Sequence, residues 1–371
     1  MLTMSKRNPF CAVPESEGFS AGNNAFRNCC QTDPHIVSVP GQSFAQWQQD
    51  PRLAKFKQQM YNNQWPDECY RCRIQEEKSG KSFRTAVNAA VDTDKNFGVW
   101  PSRWNLIFDN TCNLACWTCD EYSSSTIAQH KKTINILPDG FVDPADTFST
   151  HWKELKQDVL KSYDYHDLVT LTLLGGEPMY NKTVSDFLNL LGQLGLAART
   201  RLEFHTNATK INKKLLSNNS WNYVCIFLSL DAAGKKAEWL RYGCRWNDIV
   251  SNIDFFKSIS NYIEVHCTLS ILNINDLPEL DTFCKSVLLP LRISLLATPK
   301  FMSILKWSGN KESITIPGYL EQHGYAYYYN LIGTQADPDS RTKLENYISQ
   351  FDAIRKPLKD YDSQLYLAIK S

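Results

Sequence analysis

Twelve cysteines stand in this 371-residue chain, and three of them, Cys112, Cys116 and Cys119, fall within one short run, Cys-Asn-Leu-Ala-Cys-Trp-Thr-Cys. Three thiolates on one loop can hold three corners of a cubic iron–sulfur cluster, which ordinarily takes four cysteines, and the fourth iron is then open. A zinc site and three unrelated core cysteines are the competing readings of the same residues. A second group is Gly175-Gly176-Glu177-Pro178. Paired glycines let a backbone approach a ligand closely, and a carboxylate accepts charge-assisted hydrogen bonds. Taken alone, this group also reads as a strand-to-helix turn. Five more cysteines, Cys11, Cys29, Cys30, Cys69 and Cys72, lie in the first hundred residues. Four of them can close a tetrahedral site, which suits structural zinc as well as a cluster. Of the rest, Cys225 and Cys267 sit in apolar runs and read as small core residues, while Cys244 falls in a loop.

The elements that must position these groups follow from the hydrophobic pattern. From Arg103 onward, short β-type runs alternate with helical ones, the signature of βα units around a parallel sheet. Strands are expected near 104–109, 168–174, 201–206, 223–230, 262–270 and 291–295. Helices are expected near 152–162, 183–194, 248–258 and 277–287. Six such units make a partial or complete α/β barrel, in which chemistry belongs at the C-terminal ends of the strands. The CxxxCxxC run follows the first strand and the Gly-Gly-Glu-Pro group ends the second. Residues 133–147, with two prolines and Gly140, read as a loop, and 341–358 as a surface helix. Three regions result: a cysteine-rich segment 1–98 containing a helical stretch at 44–64, a barrel 99–300, and a C-terminal extension 301–371.

Composition sets outer limits. Forty basic against 39 acidic residues give a net charge of +1, with no broad attraction to nucleic acid or an anionic membrane. No apolar run approaches the roughly 20 residues of a membrane helix, and the start, with Lys6, Arg7 and Pro9, lacks the apolar stretch of a secretory signal. A cytoplasmic, reducing location is therefore expected, where cysteines ligate metals rather than form disulfides.

Together, CxxxCxxC after strand one and Gly-Gly-Glu-Pro after strand two resemble the radical S-adenosylmethionine (SAM) superfamily. The run Arg103–Cys112, its continuation Cys119–Ser125, Leu230-Asp231 and the Arg241-Tyr-Gly segment resemble members of that superfamily with a twitch domain. The resemblance implies a partial (β/α)6 TIM-like barrel with an N-terminal cysteine-rich auxiliary-cluster domain and a small C-terminal extension. It implies a [4Fe–4S] cluster on Cys112, Cys116 and Cys119 whose open iron takes the amino and carboxylate groups of SAM. Glu177 would accept from the SAM amino group, with Gly175, Gly176 and Pro178 shaping the approach. Thr206 and Asn207, the latter toward a ribose hydroxyl, and Ser229, toward the carboxylate, resemble family contacts; Asp231 would fix a strand end. Arg241 is a further carboxylate partner or an ordinary surface arginine. Thr118 stands where many members place an aromatic residue against the adenine, so Trp117 or Tyr122 would take that place. A second [4Fe–4S] cluster on Cys11, one of Cys29 or Cys30, Cys69 and Cys72 is implied, as is a reducing partner such as flavodoxin or ferredoxin. The implied activity is reductive cleavage of SAM and hydrogen abstraction from a peptide or protein, alternatively from a small metabolite, nucleotide or sugar. A zinc-stabilised, non-catalytic binding protein is the reading from another class.

Overall fold

The computed structural model describes residues 9–21, 25–91, 98–213, 216, 220–316 and 318–370; residues 1–8, which carried the expectation of no secretory signal, lie outside them. The main sheet is built from β1 (Glu17–Ser20), β2 (Phe26–Arg27), β3 (Arg103–Ile107), β5 (Val169–Leu174), β6 (Thr200–Thr206), β7 (Tyr223–Ser229), β9 (Tyr262–Leu269) and β10 (Leu291–Leu295). Its order is β10-β9-β7-β6-β5-β3-β1-β2. Every neighbouring pair is parallel except β2, which turns back against β1. All six strands read from the sequence are present within a residue or two. With β2 and β10 as its two edges, the sheet is an open, partial barrel. A two-stranded antiparallel ribbon of β4 (Ala115–Cys116) and β8 (Arg241–Tyr242) lies apart from it.

Parallel neighbours need long crossovers, and helices supply them. Pro144–Tyr165 precedes β5, Lys182–Gln193 leads from β5 toward β6, Trp246–Ile259 precedes β9 and Leu277–Ser286 joins β9 to β10. The first begins earlier than the sequence reading placed it. Asp143 caps it by accepting from Ala145 N at 3.0 Å, and Pro144 takes the first helical position, where its missing N–H costs nothing. The proline that marked a loop is thus a helix start. The expected stretch 44–64 is two helices, Phe44–Gln48 and Pro51–Tyr61, divided where Asp50 caps the second. The helix expected over 341–358 spans Ser340–Phe351, and its Leu344, Ile348 and Phe351 are buried, so it is docked rather than merely superficial.

The strands alternate. On one face Trp104, Leu171, Leu173, Leu202, Phe204, Ile226 and Leu228 are buried under the helices. The other face is polar: Arg103 pairs with Glu203 at 2.7 Å, Thr172 Oγ1 donates to the same carboxylate at 3.0 Å, and Asn105 donates to Glu17 at 2.9 Å. Such alternation identifies a sheet curled around a polar lumen. Among the described residues, no helix is long and apolar enough to cross a membrane.

The sheet runs across residue 98. β1 lies parallel to β3 with Gly18 opposite Trp104, so the segment 1–98 differs from the barrel in cysteine content yet contributes two strands to it. Gly18 is required there, since a Cβ would stand 2.5 Å from Trp104 Cε3. Trp104 cannot yield, being fully buried and donating from Nε1 to Ser162 Oγ at 2.8 Å. Gly18→Ala is therefore expected to cost about 1–3 kcal/mol, the usual range for overpacking, read from the urea midpoint. An unchanged midpoint would show that β1 is not seated on β3.

Candidate functional site

At the C-terminal ends of β3, β5, β6 and β7 lies a solvent-open cleft of about 1200 Å³. Cys112, Cys116 and Cys119 line it, with Gly175, Gly176, Glu177, Thr206, Asn207, Ser229, Asp231 and Arg241. The chain thus brings together groups read from four separate stretches of sequence.

The cysteine loop is fixed from beneath. Cys112 N donates to Ser125 Oγ at 3.2 Å and Thr126 Oγ1 donates to Cys112 O at 2.7 Å. Ser124 Oγ donates to Leu114 O at 2.6 Å while capping the helix Ser125–Thr133. Asn110 donates to Glu121 O at 2.9 Å, closing the loop across its base. The Cys112 thiol is pushed up to about 12 by burial, with Cys116 and Glu177 adding to the rise. Cys116 moves the other way because the Cys119 thiol hydrogen-bonds to it and the Arg241 guanidinium lies close.

The glycine pair has a reason beyond a ligand's approach. Gly175 has φ +85°, and a Cβ at Gly176 would stand 2.1 Å from Thr111 O. Both glycines let β5's end press on the backbone leading into Cys112, where Glu177 N donates to Thr111 O at 2.8 Å. Pro178 is buried next to them and is not a cleft residue. Glu177 accepts from Met179 N at 3.0 Å, Thr206 Oγ1 at 2.8 Å and Asn207 N at 2.6 Å. Burial raises its pKa, opposed by these donors and Arg241. A carboxylate has about four lone-pair sites, so one is left for a further donor.

Asn207 is less available than the sequence implied. Its Oδ1 accepts from Thr209 N and Oγ1 at 3.0 and 2.6 Å, and its Nδ2 donates to Asn113 Oδ1 at 3.0 Å. It ties β6's end to the cysteine loop and keeps one N–H for anything else. Asp231 does fix a strand end, accepting from Thr268 N at 2.9 Å, and it also holds Arg241 at 2.7 Å. Arg241 is no surface arginine. The β4–β8 pairing sets it directly opposite Cys116. Burial alone would lower its pKa, but Cys116, Asp231 and Cys119 hold the charge in place. Its Nε is buried with no acceptor among the described residues, an orphaned donor beside three thiols. That donor and the all-sulfur ligand set fit an anionic centre with room for a polar ligand.

Trp117 does not line the cleft. It is buried against Trp239, ring centroids 5.1 Å apart, and meets Phe351 edge-on. Tyr122 and Thr118 line the cleft instead. Sequence reasoning also missed Thr268 and Leu296 as cleft residues; neither belongs to a motif. His205 lies at the cleft wall, its ring against those of Phe227 and His266. Burial holds it neutral, with a pKa of about 4.

A second group of thiols forms around the N-terminal helices. Cys11, Cys29, Cys69 and Cys72 line one small cavity of about 20 Å³, with Phe56, Phe83 and Arg84. Cys30 does not line it. Cys69 and Cys72 come from the start of the helix Tyr70–Ser79, and Arg84 is fixed by Glu76 at 2.5 Å. Burial pushes Cys11 and Cys69 up to about 12. Among the described residues, no three His, Cys, Asp or Glu side chains converge on a point that could hold a single metal ion.

No protein-family model matches the chain, and no curated protein does. Solved structures with partial likeness include anSMEcpe with bound AdoMet and Cp18Cys peptide, at 15% identity, covering 55% of each chain, with a TM-score of 0.35. Streptococcus suis SuiB bound to precursor peptide SuiA has 15% identity over 75% of this chain and 63% of its own, TM-score 0.38. TYW1 with a lysine-pyruvate adduct bound has 12% identity over 69% and 85%, TM-score 0.35. The chain spans less than two thirds of the length of the first two.

Removing Asp231 tests the geometry directly. Asp231→Ala leaves the buried Arg241 cation and Thr268 N without partners, an expected loss of about 3–5 kcal/mol, whereas Asp231→Asn keeps one acceptor and loses less. Equal melting curves for the two variants would show that Asp231 does not carry the pair.

Proposed function

We propose that this chain is a radical SAM enzyme acting on a peptide or protein. The observation that carries the reading is the convergence of CxxxCxxC, Gly-Gly-Glu, Thr206, Ser229, Asp231 and Arg241 on one cleft at the C-terminal strand ends. Cys112, Cys116 and Cys119 would hold a [4Fe–4S] cluster. Reduced and with SAM bound, such a cluster would supply the electron that splits SAM into methionine and a 5′-deoxyadenosyl radical able to take a hydrogen atom from the substrate. The chain's own work is binding and orientation. The free lone pair of Glu177 receives an ammonium donor, Arg241 Nε offers a donor to a carboxylate, and Tyr122 offers a ring to the adenine. The fixed hydrogen bonds beneath Cys112 keep the loop from shifting. A polymer substrate is favoured by the open mouth of the cleft, where Tyr122 is 46% exposed.

For the N-terminal cavity we propose a second [4Fe–4S] cluster on Cys11, Cys29, Cys69 and Cys72. Cys11, Cys29, Cys69 and Cys72 line one cavity and together supply the four thiolates that such a cluster takes. An external donor such as flavodoxin or ferredoxin would supply the electron.

Anaerobic reconstitution is expected to give about eight irons per chain. Replacing Cys112, Cys116 and Cys119 with Ala halves this, Cys29→Ala also halves it, and Cys30→Ala does not. A chain that takes up zinc and no iron sinks both cluster assignments. In the reconstituted protein Glu177→Gln is expected to keep its iron and bind SAM about ten- to a hundredfold more weakly, the worth of one charge-assisted hydrogen bond. Equilibrium dialysis with SAM measures this, and unchanged affinity removes Glu177 from the SAM site.

A further inference from the structure

The C-terminal extension presses on the cysteine loop from outside the cleft. Tyr347 and Phe351 meet the Trp117 ring, Trp239 Nε1 donates to Lys356 O at 3.2 Å, and Tyr242 OH donates to Ile354 O at 3.3 Å. Between these contacts lies Arg355, only 5% exposed. Its guanidinium carbon lies 4.5 Å from the Trp117 ring centroid, 4.2 Å from Phe351 and 5.3 Å from Tyr242. No carboxylate pairs with it: Nη2 donates to His130 Nδ1 at 3.3 Å, while Nε and Nη1 have no acceptor among the described residues. Lys131, which also faces Tyr347, is paired with Glu121 at 2.5 Å.

A buried arginine without a carboxylate is costly, because desolvation disfavours the charge. Three rings recover part of that cost through cation–π attraction. The rings explain how the charge is tolerated. They do not explain why a cation occupies an otherwise apolar contact when leucine or methionine would fill it. Trp117 is the residue next to Cys116, so the charge lies one side chain away from the thiolate loop. Burial lowers the Arg355 pKa to about 10, with Tyr347 and Cys116 opposing the drop, so the group is still a cation at neutral pH. His130 adds no second charge, since burial and Arg355 both hold it neutral.

We infer that Arg355 is a fixed cation behind the Cys112–Cys119 loop that raises the reduction potential of the cluster held there, an inference that rests on the cluster assignment above. Reduction adds one negative charge to the cluster, and a positive charge in a poorly screened interior favours the reduced form. Arg241 contributes in the same sense but is neutralised by Asp231, whereas Arg355 has no counter-ion among the described residues. It acts through the field at the sulfurs and not by ligation.

The test is a redox titration of the reconstituted protein followed by electron paramagnetic resonance, using the signal that changes shape when SAM is added. Arg355→Met, which keeps the volume and removes the charge, is expected to retain wild-type iron and move the midpoint to a more negative potential; Arg355→Lys is expected to stay near wild type. An unchanged midpoint in an iron-replete Arg355→Met chain overturns the inference and leaves the cluster assignment standing. Loss of iron from both Arg355→Met and Arg355→Gln, with Arg355→Lys intact or not, makes the residue structural and also overturns it. A wild-type chain without iron overturns the cluster assignment and this inference together.

Discussion

One buried carboxylate holds three strand ends in register. Glu177, at the end of β5, accepts from Met179 N on its own turn and from Thr206 Oγ1 and Asn207 N at the end of β6, while its own N–H is donated to Thr111 O after β3. A buried carboxylate is stable only when its charge is met by donors, and donors left behind by its loss would be stranded in a dry interior. Two walls of the cleft are therefore referred to this point: the cysteine loop through Thr111, the β6 turn through Asn207, and through Asn207 the loop again at Asn113. The glycines make the arrangement possible, since only residues without Cβ allow the backbones of 109–111 and 175–176 to approach so closely.

Around that hub the electrostatics are asymmetric. The thiols at Cys112, Cys116 and Cys119 are buried together, which disfavours three negative charges at once. Arg241, set opposite Cys116 by a two-residue ribbon, meets that problem from the cleft side, and Asp231 keeps it aimed by pairing with one nitrogen while Nε stays unpaired. Such a site is prepared for an anionic centre before any ligand arrives, the kind of preorganisation that costs nothing at the moment of reaction.

Three cavities among the described residues share walls. Phe83 lines both the N-terminal thiol cavity and a polar cleft of about 1000 Å³ in the sheet lumen, and His205 lines both that lumen and the cysteine cleft. The helix Phe83–Ala90 and strand β1 belong to the segment 1–98, so the N-terminal region forms part of the lumen wall. Its attachment through β1 explains why a cysteine-rich segment and a barrel share one sheet.

The sequence by itself determined the strands, most of the crossover helices and the two motifs that meet in the cleft, because these are local properties. Alternation and apolar periodicity are written in windows of five to fifteen residues, and the CxxxCxxC and Gly-Gly-Glu-Pro groups are contiguous. Tertiary structure decided what depends on approach between distant segments. Trp117 and Tyr122 are equally plausible in sequence, and only the docking of Trp239 and Phe351 sends Trp117 into the core. Cys29 and Cys30 are adjacent, yet the chain direction after β2 gives one of them to the thiol cavity. Arg241 reads as any arginine until β8 pairs with β4, and Arg355 carries no signal at all, since Trp117, Tyr242 and the cysteine loop lie more than a hundred residues away in the chain. Hydrogen bonds, burial and electric fields act through space, and over such separations in the chain only the completed fold specifies which groups they join.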